Sequence, residues 1–153
     1  MSNTATTRTG LRGYVSHHEF GGMKIPVNIQ NLVLRDYCAR NNRMFKLSMN
    51  EYFFAGCYIQ LEGVLKQLPN VEGVVMCSIF MLPKNDARRS EILNAFVEQG
   101  AELHCIFESL VIKTKSDLER AEELFLMREA ILQCPTGLEL SLLPDIGSKD
   151  LFS

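Results

Sequence analysis

The chain has 153 residues, a formal charge of −2, 46% hydrophobic and 22% charged residues, and five cysteines. That length suits one domain with a sizeable core, and the even scatter of charge signs speaks against a surface built chiefly for nucleic acid, whose phosphates call for a basic stripe. The cysteines (Cys38, Cys57, Cys77, Cys105, Cys134) are odd in number, far apart and without a C-x-x-C pair, which indicates neither a disulfide framework nor a zinc site. No apolar run approaches the roughly 20 residues of a membrane span, so a cytoplasmic protein with no membrane partner is expected.

Residues 1–11, rich in Ser, Thr and Asn, read as a disordered leader, followed by a single domain over residues 12–134. Gly13-Tyr14-Val15-Ser16 is a short strand, and Gly21-Gly22 lets the chain turn before Pro26, which suits a first helical turn. Ile29, Leu32, Val33 and Tyr37 recur at helical spacing and predict a helix to about Asn41. The cations Arg40, Arg43 and Lys46 fall at its end, where the helix dipole favours them. Phe45-Lys46-Leu47-Ser48 is a second strand. After Glu51-Tyr52, the positions Tyr58, Leu61, Leu65 and Leu68 mark a second helix that stops at Pro69.

The nearly unbroken apolar run from Val74 to Phe80 predicts a strand buried on both faces, as in a parallel sheet. Asp86 is placed to cap a third helix with the stripe Ile92, Leu93, Phe96 and Val97, ending near Gly100. Leu103 to Phe107 supplies a fourth strand with Glu108 directly behind it. Ser116-Asp117-Leu118-Glu119 has capping-box spacing ahead of a last helix running to about Gln133. Residues 135–153, broken by Pro135, Gly137, Pro144 and Gly147, read as an irregular tail. Alternating strands and helices predict a three-layer α/β fold with a four-stranded, mainly parallel sheet of order 2-1-3-4 and helices on both faces.

Ligands bind such sheets outside the carboxyl ends of the strands, which converts topology into a residue set. Ser16 ends strand one with His17-His18-Glu19 behind it, strand two leads into Glu51 and Tyr52, strand three carries Ser78, and strand four delivers Glu108. Each has a bland reading: the serines satisfy loop backbone groups, Glu51 is solvated, Tyr52 packs its ring, and the adjacent histidines point apart and hold no metal. Glu108 is the strongest acid–base candidate, because a carboxyl leaving an apolar strand is exposed to desolvation. Arg35 lies beside the apolar stripe of the first helix, and Arg88 with Arg89 opens the third helix where a phosphate would meet them. No Walker or G-x-G-x-x-G loop is present, and no cofactor is expected.

Several stretches together resemble the sporadic carbohydrate cluster protein family of bacterial surface-glycan gene clusters. They are Gly13 to Ser16, Ile25-Pro26 with Gln30-Asn31 and Arg35 to Cys38, Glu51-Tyr52, Ser78 to Pro83, and Leu103-His104 with Glu108. That resemblance implies a role in lipopolysaccharide or surface polysaccharide assembly and supplies no mechanism. A more distant likeness of fold links the chain to the catalytic domain of serine recombinases and resolvases, whose nucleophilic serine follows strand one, the place of Ser16. Those enzymes carry an arginine two residues before the serine, where this chain has Tyr14. Their Asp-Arg-Leu-x-x-Arg pattern after strand three is replaced by Met81-Leu82-Pro83 ahead of Arg88.

The first functional expectation is therefore a small cofactor-independent enzyme acting on a sugar or nucleotide sugar by isomerisation, elimination or group transfer. In it Glu108, Glu51 and Ser16 are catalytic, and Tyr52, Ser78, Arg35, Arg88 and His17 hold substrate. The alternatives are a non-catalytic partner or regulator of a glycan enzyme and a recombinase-like DNA-binding protein. A homo-oligomer formed through the last helix is compatible with all three.

Overall fold

The computed structural model describes residues 7–54 and 56–133. Its elements in chain order are β1 (Leu11–Val15), α1 (Val27–Arg40), β2 (Phe45–Asn50), α2 (Ile59–Lys66), β3 (Gly73–Met76), α3 (Asp86–Glu98), β4 (Glu102–Cys105), β5 (Leu110–Ile112) and α4 (Lys115–Leu132). The strands form one sheet in the order β2-β1-β3-β4-β5, parallel except for β5, which runs antiparallel to β4. The predicted 2-1-3-4 sheet is present, and a fifth strand extends it. Residues up to Ala121 form one compact unit, while the last turns of α4, from Glu122, belong to a second. No described helix is long and apolar enough to cross a membrane.

Handedness decides the layers. The crossover through α1 moves from β1 outward to β2, whereas those through α2 and α3 move the opposite way, so right-handed connections put α1 on one face and α2 with α3 on the other. α2 and α3 accordingly touch each other. β3 is buried at every position, between Leu34 and Cys38 of α1 and Leu61, Val64, Ile92, Leu93 and Phe96 of the opposite layer. Each such fully buried side chain contributes on the order of 2 kcal/mol by leaving water.

The inward face of α1 lies one step round from the predicted stripe. Gln30, Leu34 and Cys38 are buried, while Ile29 and Leu32 are exposed. The centre of that face is set by a polar residue that hydropathy does not count: the Gln30 amide accepts from Ser16 N at 3.2 Å and donates to Ser16 O at 2.6 Å and Ile25 O at 2.7 Å. β3 stops at Met76 rather than Phe80, because Ile79–Met81 wind into a 3-10 turn capped by the Ser78 hydroxyl. β4 likewise stops at Cys105, and the chain reverses through residues 106–109 with Ser109 at φ 50°. Glu108 therefore lies in a reversing turn and does not directly follow a strand.

Caps and ends differ in detail. α3 is capped by Asn85, whose side chain accepts from Arg88 N at 2.9 Å, and Asp86 is its first residue. α4 starts earlier than the Ser116 box implies: the Asp117 carboxylate reaches back to Lys113 N and Thr114 N, both at 2.9 Å. Leu11, one residue before the expected start of the domain, is a buried member of β1, and the Arg8 guanidinium donates to Gln99 O and Gly100 O beyond α3. The tail over 135–153 lies outside the described residues.

Gly73 lies where β3 meets β4, and a Cβ there would strike the carbonyl of Glu102. Backbone cannot yield as a flexible side chain can. Gly73→Ala is therefore expected to destabilise the protein by about 1–3 kcal/mol, read as a lower urea midpoint.

Candidate functional site

A cleft of about 620 Å³ opens at the carboxyl end of the sheet, where three crossover loops converge. The loop after β1 contributes His17, His18, Glu19 and Lys24; the loop after β2 contributes Phe53, Gly56 and Tyr58; and the segment before α3 contributes Pro83, Lys84, Asn85 and Arg88. Gly21 and Gly22, at φ 58° and 77°, make the tight reversal between Phe20 and Met23 that brings Lys24 round.

The polar residues that end the strands do not line this cleft. Each locks a strand to its loop instead. Glu51 is 2% exposed and is enclosed by donors: Oε2 accepts from the Tyr14 hydroxyl at 2.8 Å and Leu61 N at 3.0 Å, and Oε1 from Tyr52 N and Gln60 N, both at 3.1 Å. A carboxylate at the first turn of α2 satisfies N–H groups the helix leaves open and sits at the positive end of its dipole. The Tyr14 phenol is pushed far above its ordinary range, first by burial and then by the Glu51 bond, and stays protonated as a donor.

Ser16 is 4% exposed, and its Oγ accepts from His18 N at 3.1 Å. Ser78 donates its hydroxyl to Glu108 Oε1 at 2.6 Å while its Oγ accepts from Phe80 N, and Ile79 N donates to the same Glu108 oxygen at 2.6 Å. Among the described residues Glu108 Oε2 is buried without a hydrogen-bond partner, as is His18 Nε2. Thus Ser16, Glu51, Ser78 and Glu108 stabilise three separate junctions, and the structure does not bring them together around one pocket.

Of the residues expected to hold substrate, His17 and Arg88 do line the cleft. The His17 ring lies 5.8 Å from that of Phe53, and the Arg88 guanidinium stacks 5.0 Å above the Tyr58 ring and pairs with Glu62 at 2.7 Å. Tyr52 is exposed at the loop's base without lining the cleft, and Arg35 lies 5.6 Å over Phe45 at the start of β2, away from the carboxyl end. Arg89 is buried and holds the start of α3 through Pro83 O, Lys84 O and Asp86. Lys24 and Lys84 were missed. Their signal was position alone, since each stands near a proline in a loop that leaves a central strand.

No family model matches the sequence, and no curated protein matches it. Solved structures do share its fold. The N-terminal catalytic domain of TP901-1 integrase matches with a TM-score of 0.52 at 11% identity, over 80% of this chain and 99% of that one. A resolvase family site-specific recombinase from Streptococcus pneumoniae matches with a TM-score of 0.57 at 12% identity, over 80% of this chain and 91% of that one. At such identity the similarity is one of fold, and the resolvase-like architecture read from the sequence is present. The expectation of a sugar enzyme is corrected: the proteins of like fold are recombinases and none of these similarities is to a carbohydrate protein, so the resemblance to the sporadic carbohydrate cluster family finds no support.

The Glu51 network yields a graded prediction. Glu51→Ala strands the Tyr14 hydroxyl and the first N–H groups of α2 together and is expected to cost about 2–4 kcal/mol, whereas Tyr14→Phe removes one bond and costs about 1 kcal/mol. Urea unfolding of the two variants checks the order.

Proposed function

We propose that this domain binds the phosphodiester backbone of nucleic acid in the cleft at the carboxyl end of the sheet, and that it does so without cutting the strand. The observation that carries this reading is the composition of the cleft: Lys24, Lys84 and Arg88, the last paired with Glu62, line it with His17, His18 and Glu19 beside the rings of Phe53 and Tyr58. Cations neutralise phosphates and release their counterions, and aromatic faces stack on bases of any identity. Phe53 and Phe54 are 73% and 75% exposed, an expensive arrangement for rings with nothing to meet. The whole-chain charge of −2 averages over this local excess of positive sign. An integrase and a site-specific recombinase among proteins of like fold support a nucleic-acid partner.

The surroundings of Ser16 do not suit strand cleavage. Phosphoryl transfer requires cations around the nucleophile to offset the charge that develops on the phosphate. Here Ser16 is buried, the arginine position of serine recombinases is filled by Tyr14 bonded to Glu51, and Arg89 is consumed by the start of α3.

Fluorescence anisotropy with labelled single-stranded and duplex oligonucleotides, from low to physiological salt, tests the proposal. With Arg88 held by Glu62, the two lysines on phosphates give a slope of log affinity on log salt of about −1.5 to −2, and Lys24→Ala and Lys84→Ala should each make it shallower by about 1. Absence of binding at low salt to either oligonucleotide, or affinity indifferent to both substitutions, overturns it.

A further inference from the structure

A second constellation sits on the α1 face of β4, apart from the cleft. The Tyr37 hydroxyl lies 2.6 Å from His104 Nδ1, and His104 Nε2 lies 2.8 Å from Glu102 Oε2. Glu102 is itself fixed by Arg43 at 3.0 Å and Lys113 at 3.3 Å. Burial alone would raise its carboxyl, but the bonds from His104, Arg43 and Lys113 outweigh that and hold it down at about 2. Glu102 is therefore an anion. The His104 imidazole, 5% exposed, is pushed down by burial against the pull of Glu102 and stays neutral near pH 7. A neutral ring facing a carboxylate through Nε2 must carry its proton there, which leaves the Nδ1 lone pair to accept from the Tyr37 phenol.

The result is an ordered chain from phenol to imidazole to carboxylate. It has the logic of a nucleophile served by a base: an O–H within hydrogen-bond reach of a base that a third group orients. Tyr37 also lines a cavity of about 310 Å³, together with Asn41, Cys105, Ile106, Leu110 and Val111. Arg40 borders it too, with its guanidinium paired to Asp36 at 2.8 Å. Uncharged walls and an occupied cation favour a neutral reactant over a phosphate.

We propose that Tyr37 is an acyl acceptor, with His104 as its general base and Glu102 as the positioning residue, for small uncharged esters that enter this cavity. The phenol oxygen attacks the ester carbonyl carbon while its proton passes to His104 Nδ1. The bond from that carbon to the departing oxygen breaks, and the leaving group, a phenol more acidic than Tyr37, takes the electron pair while the proton on His104 passes to it or to water. An O-acyl Tyr37 results with the departing phenol, or with its phenolate and a released proton, so atoms and charge balance. Burial raises the Tyr37 phenol, so it keeps its proton at rest and needs the base at the moment of attack.

The test exposes the full chain to p-nitrophenyl acetate and measures acetylation of each of the four tyrosines by peptide mass mapping. Tyr37 is expected to acquire acetyl at least about 100-fold faster than the exposed Tyr52, the scale of general-base assistance. His104→Ala should erase that lead and added imidazole restore part of it, while buried Tyr14 stays unlabelled as the internal sign that the variant is folded. Tyr37 reacting no faster than Tyr52 in the unaltered protein overturns the proposal, and so does a lead that survives in folded His104→Ala. The ratio in the unaltered protein decides the matter even where the variant unfolds.

Discussion

The buried Glu51 carboxylate is the constraint from which the carboxyl end of this sheet is built. An anion taken out of water costs several kcal/mol unless every lone pair finds a donor, and here the donors come from three elements. Tyr14 supplies one from the middle of the sheet, Tyr52 one from the loop, and Gln60 and Leu61 two from the start of α2. None of these elements can shift without stranding the charge. The segment between β2 and α2 is pinned at both ends as a consequence, and its apolar rings, Phe53 and Phe54, are turned outward.

The same division of labour recurs along the edge. Ser16 with Gln30, and Ser78 with Glu108, are spent on closing strand-to-loop junctions, while the residues that face the open cleft come one to several positions later. A rim of hydrogen-bonded strand ends underlies an outer layer of lysines, histidines and aromatic rings. Binding residues on loops held by a fixed scaffold are the usual outcome of this architecture. It also separates the molecule from the recombinases whose fold it shares, since the side chain two residues before Ser16 is a phenol committed to Glu51 rather than a cation free to meet a phosphate.

Periodicity made most of the fold legible. The apolar run at Val74, the stripe of Ile92, Leu93 and Phe96, and the prolines at positions 26 and 69 place their elements to within a few residues. Three kinds of feature stayed hidden. β5 is three residues long, too short for any period to register, and exists because Ser109 adopts a left-handed conformation that turns Leu110 to Ile112 back along β4. Gln30 defines the inward face of α1 through an amide network, so a reading based on apolar residues turned the helix by one position. The end of the sheet that carries the cleft was legible, but the side chains that line it were mostly not. Strand-end rules led to the end of the sheet where the cleft lies, yet they could not tell a carboxylate pointing at a helix ten residues on from one pointing at solvent.

The thiols carry a practical consequence. Cys38, Cys77 and Cys105 are buried, and burial pushes the Cys77 sulfhydryl up to about 12, with the other two also raised. Thiolates are the species that alkylating reagents attack, so these three resist modification in the native state. Cys57 is half-buried between two cleft residues, Gly56 and Tyr58, with its sulfur 3.7 Å from Glu51. Among the described cysteines a maleimide dye would therefore settle there, giving an optical reporter at the mouth of the cleft.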